Sequence, residues 1–202
     1  MNIAVLGASG NIGKEITREL AARGHKVTAI ARNPEKIPQI AGVAAVAGDA
    51  SDAQVLAGLI KGSDAVISAL HHDVPAETLL TAVKSAGVPR LLVTGGAASL
   101  EVAPGVRLFD TPEFPAEWKV FAQRGIDFLT ALKGEKGVNW TFLSPAALIH
   151  EAPRRGHYRS DTDRLVADDK GHSEIGYADY AIAMVDELEK PRHPRARFTV
   201  GY

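Results

Sequence analysis

Gly7-Ala8-Ser9-Gly10-Asn11-Ile12-Gly13 stands between an apolar run, Asn2 to Leu6 (NIAVL), and an amphipathic segment, Asn11 to Arg23. The first run reads as a buried strand. The second places Ile12, Ile16 and Leu20 at helical spacing with charges on the opposite face, and Gly24 ends it as a C-cap. In this strand-to-helix context each glycine of the GxxGxxG turn has a physical task. Gly7 lets the chain turn sharply out of the strand. Gly10 has no side chain, so backbone N–H groups can approach a pyrophosphate, and Gly13 lets the helix pack closely on the sheet. The free N–H groups and partial positive charge of the helix N-terminus then face the phosphates. Ser9 and Asn11 can add side-chain hydrogen bonds. Residues 7–13, with Ala8 and Ile12, therefore read as a dinucleotide-binding turn; the plain alternative is a glycine-rich turn without a ligand.

Outward from the turn, short apolar runs alternate with helical patterns. Strands are expected at Lys26 to Ala31, Val43 to Ala47, Ala65 to Leu70, Arg90 to Thr94, Trp140 to Leu143 and Arg197 to Tyr202. Helices are expected from a cap at Asp52 to Ile60, from Pro75 to Gly87, from Ala116 to Leu132, and from Tyr177 to Lys190, stopped by Pro191. Two stretches resist this pattern. Gly95 to Pro115 is a long loop, and such loops are often functional. Glu151 to Ser173 is polar and reads as irregular structure or a small hairpin. The alternation implies an α/β domain, a Rossmann-type doubly wound parallel sheet covered on both faces. No linker divides the chain, so residues 1–202 read as a single domain with lid segments at 95–115 and 151–173.

The end of the second strand bears on the choice of cofactor. An acidic residue there would accept hydrogen bonds from the adenosine ribose and favour NAD. The chain instead has Ala31-Arg32-Asn33-Pro34-Glu35-Lys36. The Arg32 guanidinium can pair with a 2′-phosphate, aided by Lys36, which favours NADP(H) over NAD(H); a solvated arginine is the alternative. After the third strand, Asp49, beside Ala50, either accepts a hydrogen bond from the adenine amino group or caps the next helix. Ser68-Ala69-Leu70 closes the fourth strand with small residues beside the cofactor ribose.

Composition sets outer bounds. The 202 residues carry a formal net charge of −1, so no global basic field points to nucleic acid or an anionic membrane. There is no cysteine, which excludes disulfides and thiolate chemistry. No apolar run is long enough to span a bilayer, and the first strand leaves no room for a signal peptide. The expectation is a cytoplasmic protein, monomer or homodimer, with a small-molecule acceptor as partner and no metal.

Taken in order, GASGNIG, IARNP, GDASD and ISAL resemble the successive cofactor-binding segments of the atypical short-chain dehydrogenase/reductase superfamily. LLVTGGAASL (Leu91 to Leu100), WTFLSPA (Trp140 to Ala146), GHSEIGYADY (Gly171 to Tyr180) and the ending FTVGY look like its NADH-flavin reductase group, near biliverdin reductase B and the NmrA-like proteins. The resemblance spans nearly the whole chain. It implies strand order 3-2-1-4-5-6-7, with the cofactor across the carboxyl ends of the strands and the nicotinamide near Thr94, Gly95, Gly96 and Pro145.

The chain departs from the superfamily where the chemistry should lie. Short-chain dehydrogenases use Tyr-x-x-x-Lys for proton transfer, and none of the four tyrosines here, Tyr158, Tyr177, Tyr180 and Tyr202, has a lysine four residues on. Trp118 and Ala122 occupy the positions that resemble the tyrosine and the lysine. Biliverdin reductase B is similar but has a histidine after the proline of the sixth strand, where this chain has Ala146 and Ala147. His150 lies close by in sequence, Ser99 and Lys119 are the polar candidates for the pocket, and the catalytic group itself stays unassigned. A flavin reductase tolerates these losses, because hydride passes directly between two rings that the protein aligns. Phe109, Phe114 and Trp118 either wall such a pocket or pin the loop, and Arg154, Arg155, His157 and Arg159 either attract an anionic substrate or form a solvated face. Three functions are therefore carried forward. The first is NADPH-dependent reduction of a free flavin or similar planar acceptor, with flavin as substrate rather than bound group. The second is an NADP-binding redox sensor of NmrA type without turnover, and the third an NAD-dependent epimerase or dehydratase.

Overall fold

The computed structural model describes residues 1–202. The first half alternates as β1 (Asn2–Leu6), α1 (Asn11–Ala22), β2 (Lys26–Ala31), β3 (Val43–Ala47), α2 (Ala53–Ile60), β4 (Ala65–Ser68), α3 (Ala76–Ala86) and β5 (Arg90–Thr94). The second half runs β6 (Glu101–Ala103), β7 (Val106–Arg107), α4 (Lys119–Gly134), β8 (Asn139–Ser144), β9 (Leu148–His150), β10 (Arg159–Asp161), β11 (Glu174–Gly176), α5 (Tyr177–Glu189) and β12 (Ala196–Gly201). The main sheet is ordered β10-β12-β8-β5-β4-β1-β2-β3. All its pairings are parallel except β10 on β12. With β8 and β12 as sixth and seventh strands, the order expected from the resemblance holds, extended by one antiparallel edge strand.

Neighbouring residues on a strand serve opposite faces. Leu92 and Leu143 join Val5, Ile16, Leu20, Tyr180 and Met184 on the α1/α5 side. Leu91 and Phe142 join Leu79, Val83, Phe128, Leu132 and Trp140 on the α3/α4 side. Burial on both faces explains why these strands read as continuous apolar runs. At the amino ends of β5 and β8, Glu187 of α5 is 3% exposed and accepts from Arg90 Nη2 at 3.0 Å and from the His193 N–H at 3.0 Å. This paired charge ties α5 to the sheet at the end opposite the strand termini that carry Thr94 and Ser144.

Several sequence expectations need correction. β4 ends at Ser68, not Leu70, although Ala69 N still donates to Leu6 O at 2.9 Å. The helix expected from Ala116 starts as a 3-10 turn, Ala116–Trp118, and becomes α-helical only at Lys119. The loop 95–115 contains the β6–β7 hairpin and a 3-10 turn at Leu108–Asp110. The segment 151–173 supplies β10, whose Arg-Ser-Asp sequence is exposed throughout and has no apolar alternation to announce it. β9 and β11 pair in parallel as a small separate sheet.

Candidate functional site

The turn between β1 and α1 is built by glycines with different tasks. Gly7 has φ +74°, and a Cβ there would lie 2.7 Å from Ala69 O, just past the end of β4. A Cβ at Gly13 would overlap Gly7 O, so Gly13 serves the closure of the turn itself rather than close packing of the helix on the sheet. Gly10 is the exception. Its nearest neighbour for an added Cβ is Gly7 O at 3.3 Å, a tight contact that a shift of a few tenths of an ångström relieves, with nothing else within 4 Å, so the fold requires a glycine there less strictly than at Gly7 or Gly13. Gly10 is also the N-cap of α1, with no side-chain cap and no acidic residue in the first turn. The N–H groups of Asn11, Ile12 and Gly13 find no acceptor within the chain. By contrast, α2 is capped by Asp52, which accepts from Gln54 N at 2.8 Å and Val55 N at 3.0 Å. Unpaired donors, a positive helix end and cleared space fit a phosphate group. Ala8 is buried beneath the turn, Ile12 is half-buried, and Ser9 and Asn11 lie at its outer side.

Beyond β2, Arg32 is exposed and makes no ion pair, and Lys36, on the 3-10 turn Pro34–Lys36, is likewise free. Arg32 lies close enough to Asp49 for its charge to act on that carboxyl. The Ser51 N–H donates to Asp49 Oδ1 at 2.9 Å, and this bond, with a smaller contribution from Arg32, holds Asp49 below the usual carboxylate range. Because Asp52 caps α2, the capping role is removed from Asp49, which closes a local turn beside the buried Ala50.

The ends of β4, β5 and β8 form the other half of the site. Ser68 and Thr94 are buried, with Ala69 and Leu70 half-buried beside the glycine turn. Gly95 N donates to Leu143 O at 2.7 Å, and a Cβ at Gly95 would enter the Phe142 ring. Gly96 faces open space, and Pro145 is buried. Tyr180, fully buried on α5, donates its hydroxyl to Leu143 O at 2.5 Å and so pins this corner from below. Burial pushes the Tyr180 phenol far up. The Tyr158 hydroxyl is spent on Asp186 and that of Tyr202 on Asp179. None of these three phenols is free for proton transfer.

The polar candidates scatter. Ser99 accepts from Arg197 Nη1 at 3.1 Å, and Arg197 also binds Asp163, so Arg197 ties the segments 95–115 and 151–173 together. The same seam carries Glu101 N to Asp163 O at 2.8 Å and Leu165 N to Glu101 O at 2.9 Å. His150 Nδ1 meets Glu151 O at 3.0 Å, and its Nε2 lies 3.5 Å from Glu174. The basic run after β9 is not an open anion trap. Arg154 binds Glu19 at 2.7 Å, and Arg155 binds Glu174 at 2.9 Å while lying over the Tyr202 ring. Arg159 donates to Ala167 O at 2.7 Å, and His157 meets Arg155 O at 3.2 Å. The Arg155 and Gly156 N–H groups both donate to the buried Asp179, so this run fastens the 151–157 loop to α1, α5 and the chain end.

Sequence reasoning missed His72. It follows β4 with φ +58°, and its ring stacks on Phe142 at 5.9 Å and tilts against Phe128 at 5.0 Å. Its Nε2 is buried without a partner. Burial pushes its pKa down to about 4, against a smaller opposing pull from the Thr94 main chain. The only sequence signal was a His-His-Asp stretch between strand and helix, a setting in which histidine tolerates the left-handed region better than most residues.

Comparison with known proteins finds similarity over the whole chain. A solved structure from Burkholderia pseudomallei, provisionally named as an exported protein, is 42% identical, with a TM-score of 0.92 and full coverage of both chains. One from Bacteroides thetaiotaomicron, provisionally named as an epimerase, is 41% identical over all of this chain and 96% of its own, at a TM-score of 0.93. One from Streptococcus pneumoniae, provisionally named as an NADH-flavin reductase, is 36% identical over 100% of this chain and 99% of its own, at 0.87. No helix is long and apolar enough to cross a membrane. The family model described as NAD(P)H-binding matches residues 7–191, from the first glycine of the turn to the residue that stops α5, and the chain belongs to that family.

Proposed function

We propose that the protein is an NADPH-dependent reductase of a planar acceptor, a free flavin or a similar ring. The observation that carries the cofactor reading is the uncapped N-terminus of α1 at Gly10, with Arg32 free of any ion pair beyond β2. The donors of Asn11, Ile12 and Gly13 hold the pyrophosphate, and Arg32 with Lys36 holds the 2′-phosphate. Asp49 faces the adenine, and the small residues Ser68 to Leu70 leave passage for the ribose. Thr94, Gly95, Gly96 and Pro145 border the nicotinamide, which supplies the hydride when bound. The buried Tyr180 holds Leu143 O, which also accepts from Gly95 N, and so steadies the corner that would border the nicotinamide.

The acceptor reading rests on the lack of any Tyr-x-x-x-Lys pair in the chain, together with the commitment of Tyr158, Tyr180 and Tyr202 to internal hydrogen bonds. Reduction of a carbonyl needs a positioned proton donor; direct hydride transfer to a ring that takes its proton from water does not. The same observation weighs against the epimerase reading. The test is oxidation of NADPH with FMN, FAD and riboflavin, followed by the loss of reduced-nicotinamide absorbance, beside calorimetric binding of NADPH and NADH. Turnover that disappears in Gly10→Val supports the reductase. Tight NADPH binding with no turnover on any flavin replaces it with the redox-sensing module.

A further inference from the structure

The two edges of the main sheet are finished differently. β10 closes one edge with three residues, of which Arg159 and Asp161 are charged. β3 closes the other with five, Val-Ala-Ala-Val-Ala, in unbroken register with β2. No charged side chain occurs from Ile37 to Gly48, although charged residues make up 23% of the chain. Ala44, Ala45 and Ala47 are exposed. Val27 N donates to Gly42 O, and Gly48 N to Ala31 O, so the even-numbered residues of this stretch turn their main-chain groups to β2. Those of Ala45 and Ala47 therefore point outward, as does the Val43 carbonyl, while Val43 N is taken by Ile40 O. A flat, uncharged edge of this kind is a template for a further strand, and folded proteins blunt such edges or cover them. β10 is blunted by charge and shortness; β3 is not.

A groove lies on each face of this edge. One, of about 400 Å³, is lined by Pro34, Ile37, Pro38, Ile40, Val43 and Ala45. The other, of about 600 Å³, is lined by Thr28, Ala44, Leu59 and Lys61 among others. An added strand sends alternate side chains to opposite faces, so both grooves would receive them.

We propose that β3 of a second copy of the chain covers this edge, antiparallel about a twofold axis at Ala45, and joins the two sheets into one. In a twofold contact residues at the axis meet their own copies, so a charged strip would repel itself. The strip from Ile37 to Gly48 is free of that repulsion. In this register the two Ala45 residues exchange N–H and C=O bonds, and each Ala47 N–H donates to a Val43 carbonyl. Each valine lies opposite an alanine, Val43 opposite Ala47 and Val46 opposite Ala44, so large and small side chains alternate across the seam. A foreign peptide would meet the same main-chain groups, but the strand's match to itself at all five positions favours a second copy. The inference is independent of the reductase reading.

The chain has no cysteine, so a single introduced thiol reports the contact. The two Ala45 Cα atoms of such a pair lie about 5.5 Å apart, and a short bis-maleimide should link Ala45→Cys chains into a covalent dimer. Val120→Cys, at an exposed position on α4, should stay unlinked. Sedimentation of the unmodified full chain should give a dimer. Ala45→Pro removes both central donors and no bond to β2, and should weaken the dimer about tenfold or more. Ala45→Lys keeps the donors but sets two ammonium groups together at the axis, and should weaken it too; it also serves if the proline variant fails to fold. Circular dichroism should be unchanged in a folded variant. A monomer at every concentration, a dimer that withstands both substitutions, or linkage through Val120→Cys in place of Ala45→Cys would overturn the proposal.

Discussion

Replacing Gly10 with alanine should leave the protein folded and unable to hold its cofactor, whereas the same change at Gly13 should damage the fold. A Cβ at residue 10 meets only Gly7 O at 3.3 Å, and Gly10 has φ −77° and ψ 168°, a conformation open to any residue. The cost is a small shift away from Gly7 O and the poorer capping of alanine, about 0.5–1 kcal/mol, or about 1–4 °C in a domain of this size. At Gly13 the new Cβ overlaps Gly7 O and lies 3.0 Å from Ala8 Cα, both backbone atoms of a tight turn. Overpacking of that kind costs about 1–3 kcal/mol, or about 2–12 °C. The methyl at residue 10 occupies the space through which the α1 donors reach the pyrophosphate. Hydrogen bonds to a charged group contribute about 1.5–3 kcal/mol each, so losing two weakens NADPH by about 100-fold or more. Thermal melts and calorimetry on the two variants give both quantities. A folded Gly10→Ala protein that binds NADPH within about twofold of the unmodified chain would refute the assignment of this turn as the phosphate site, a limit well inside one tenfold step of 1.4 kcal/mol.

Arg32→Ala should weaken NADPH about 10- to 150-fold and NADH hardly at all, from about 1.5–3 kcal/mol of pairing with the 2′-phosphate; equal losses for both cofactors in calorimetry would refute the NADPH preference. Glu187→Ala leaves Arg90 buried without its partner and should cost about 3–5 kcal/mol of stability, read by urea unfolding, with cofactor affinity unchanged because the pair lies at the amino ends of the strands. His72 should make the fold acid-sensitive. Its pKa is pushed down to about 4 in the native state from the ordinary histidine value of 6.5, so between these values the unfolded chain binds the extra proton. Its contribution to stability is complete above pH 6.5 and is lost as the pH falls toward 4. His72→Asn, which keeps tolerance for the left-handed backbone, should reduce the loss between neutral pH and pH ~4.5 by about 2.5 kcal/mol. Identical pH profiles of the two proteins in urea unfolding would sink this.

The nucleotide-binding half was legible because its signals are local. The strand NIAVL, the three glycines and the period of Ile12, Ile16 and Leu20 lie within the first 20 residues. Strand order across β1 to β5 was implied by the resemblance that GASGNIG, IARNP, GDASD and ISAL carry, and Arg32 was readable because it directly follows β2. The amino-acid sequence by itself therefore determined the fold class, the position of the glycine turn and the residue types that follow β2 and β3.

Only the tertiary structure decided what the remaining polar residues do. Ser99 meets Arg197, and Arg154 meets Glu19, across 98 and 135 residues of chain. Such pairings leave no periodic trace and cannot be separated, in the sequence, from solvated charges. The same holds for β10, an exposed edge strand found only by its pairing with β12. It holds too for His72, whose burial depends on Phe128 and Phe142 arriving from α4 and β8. Even within the glycine motif, the division of labour came from packing. Gly7 and Gly13 are required by atoms of the turn and of the residue after β4, while Gly10 is left with open space that only a three-dimensional fold can define.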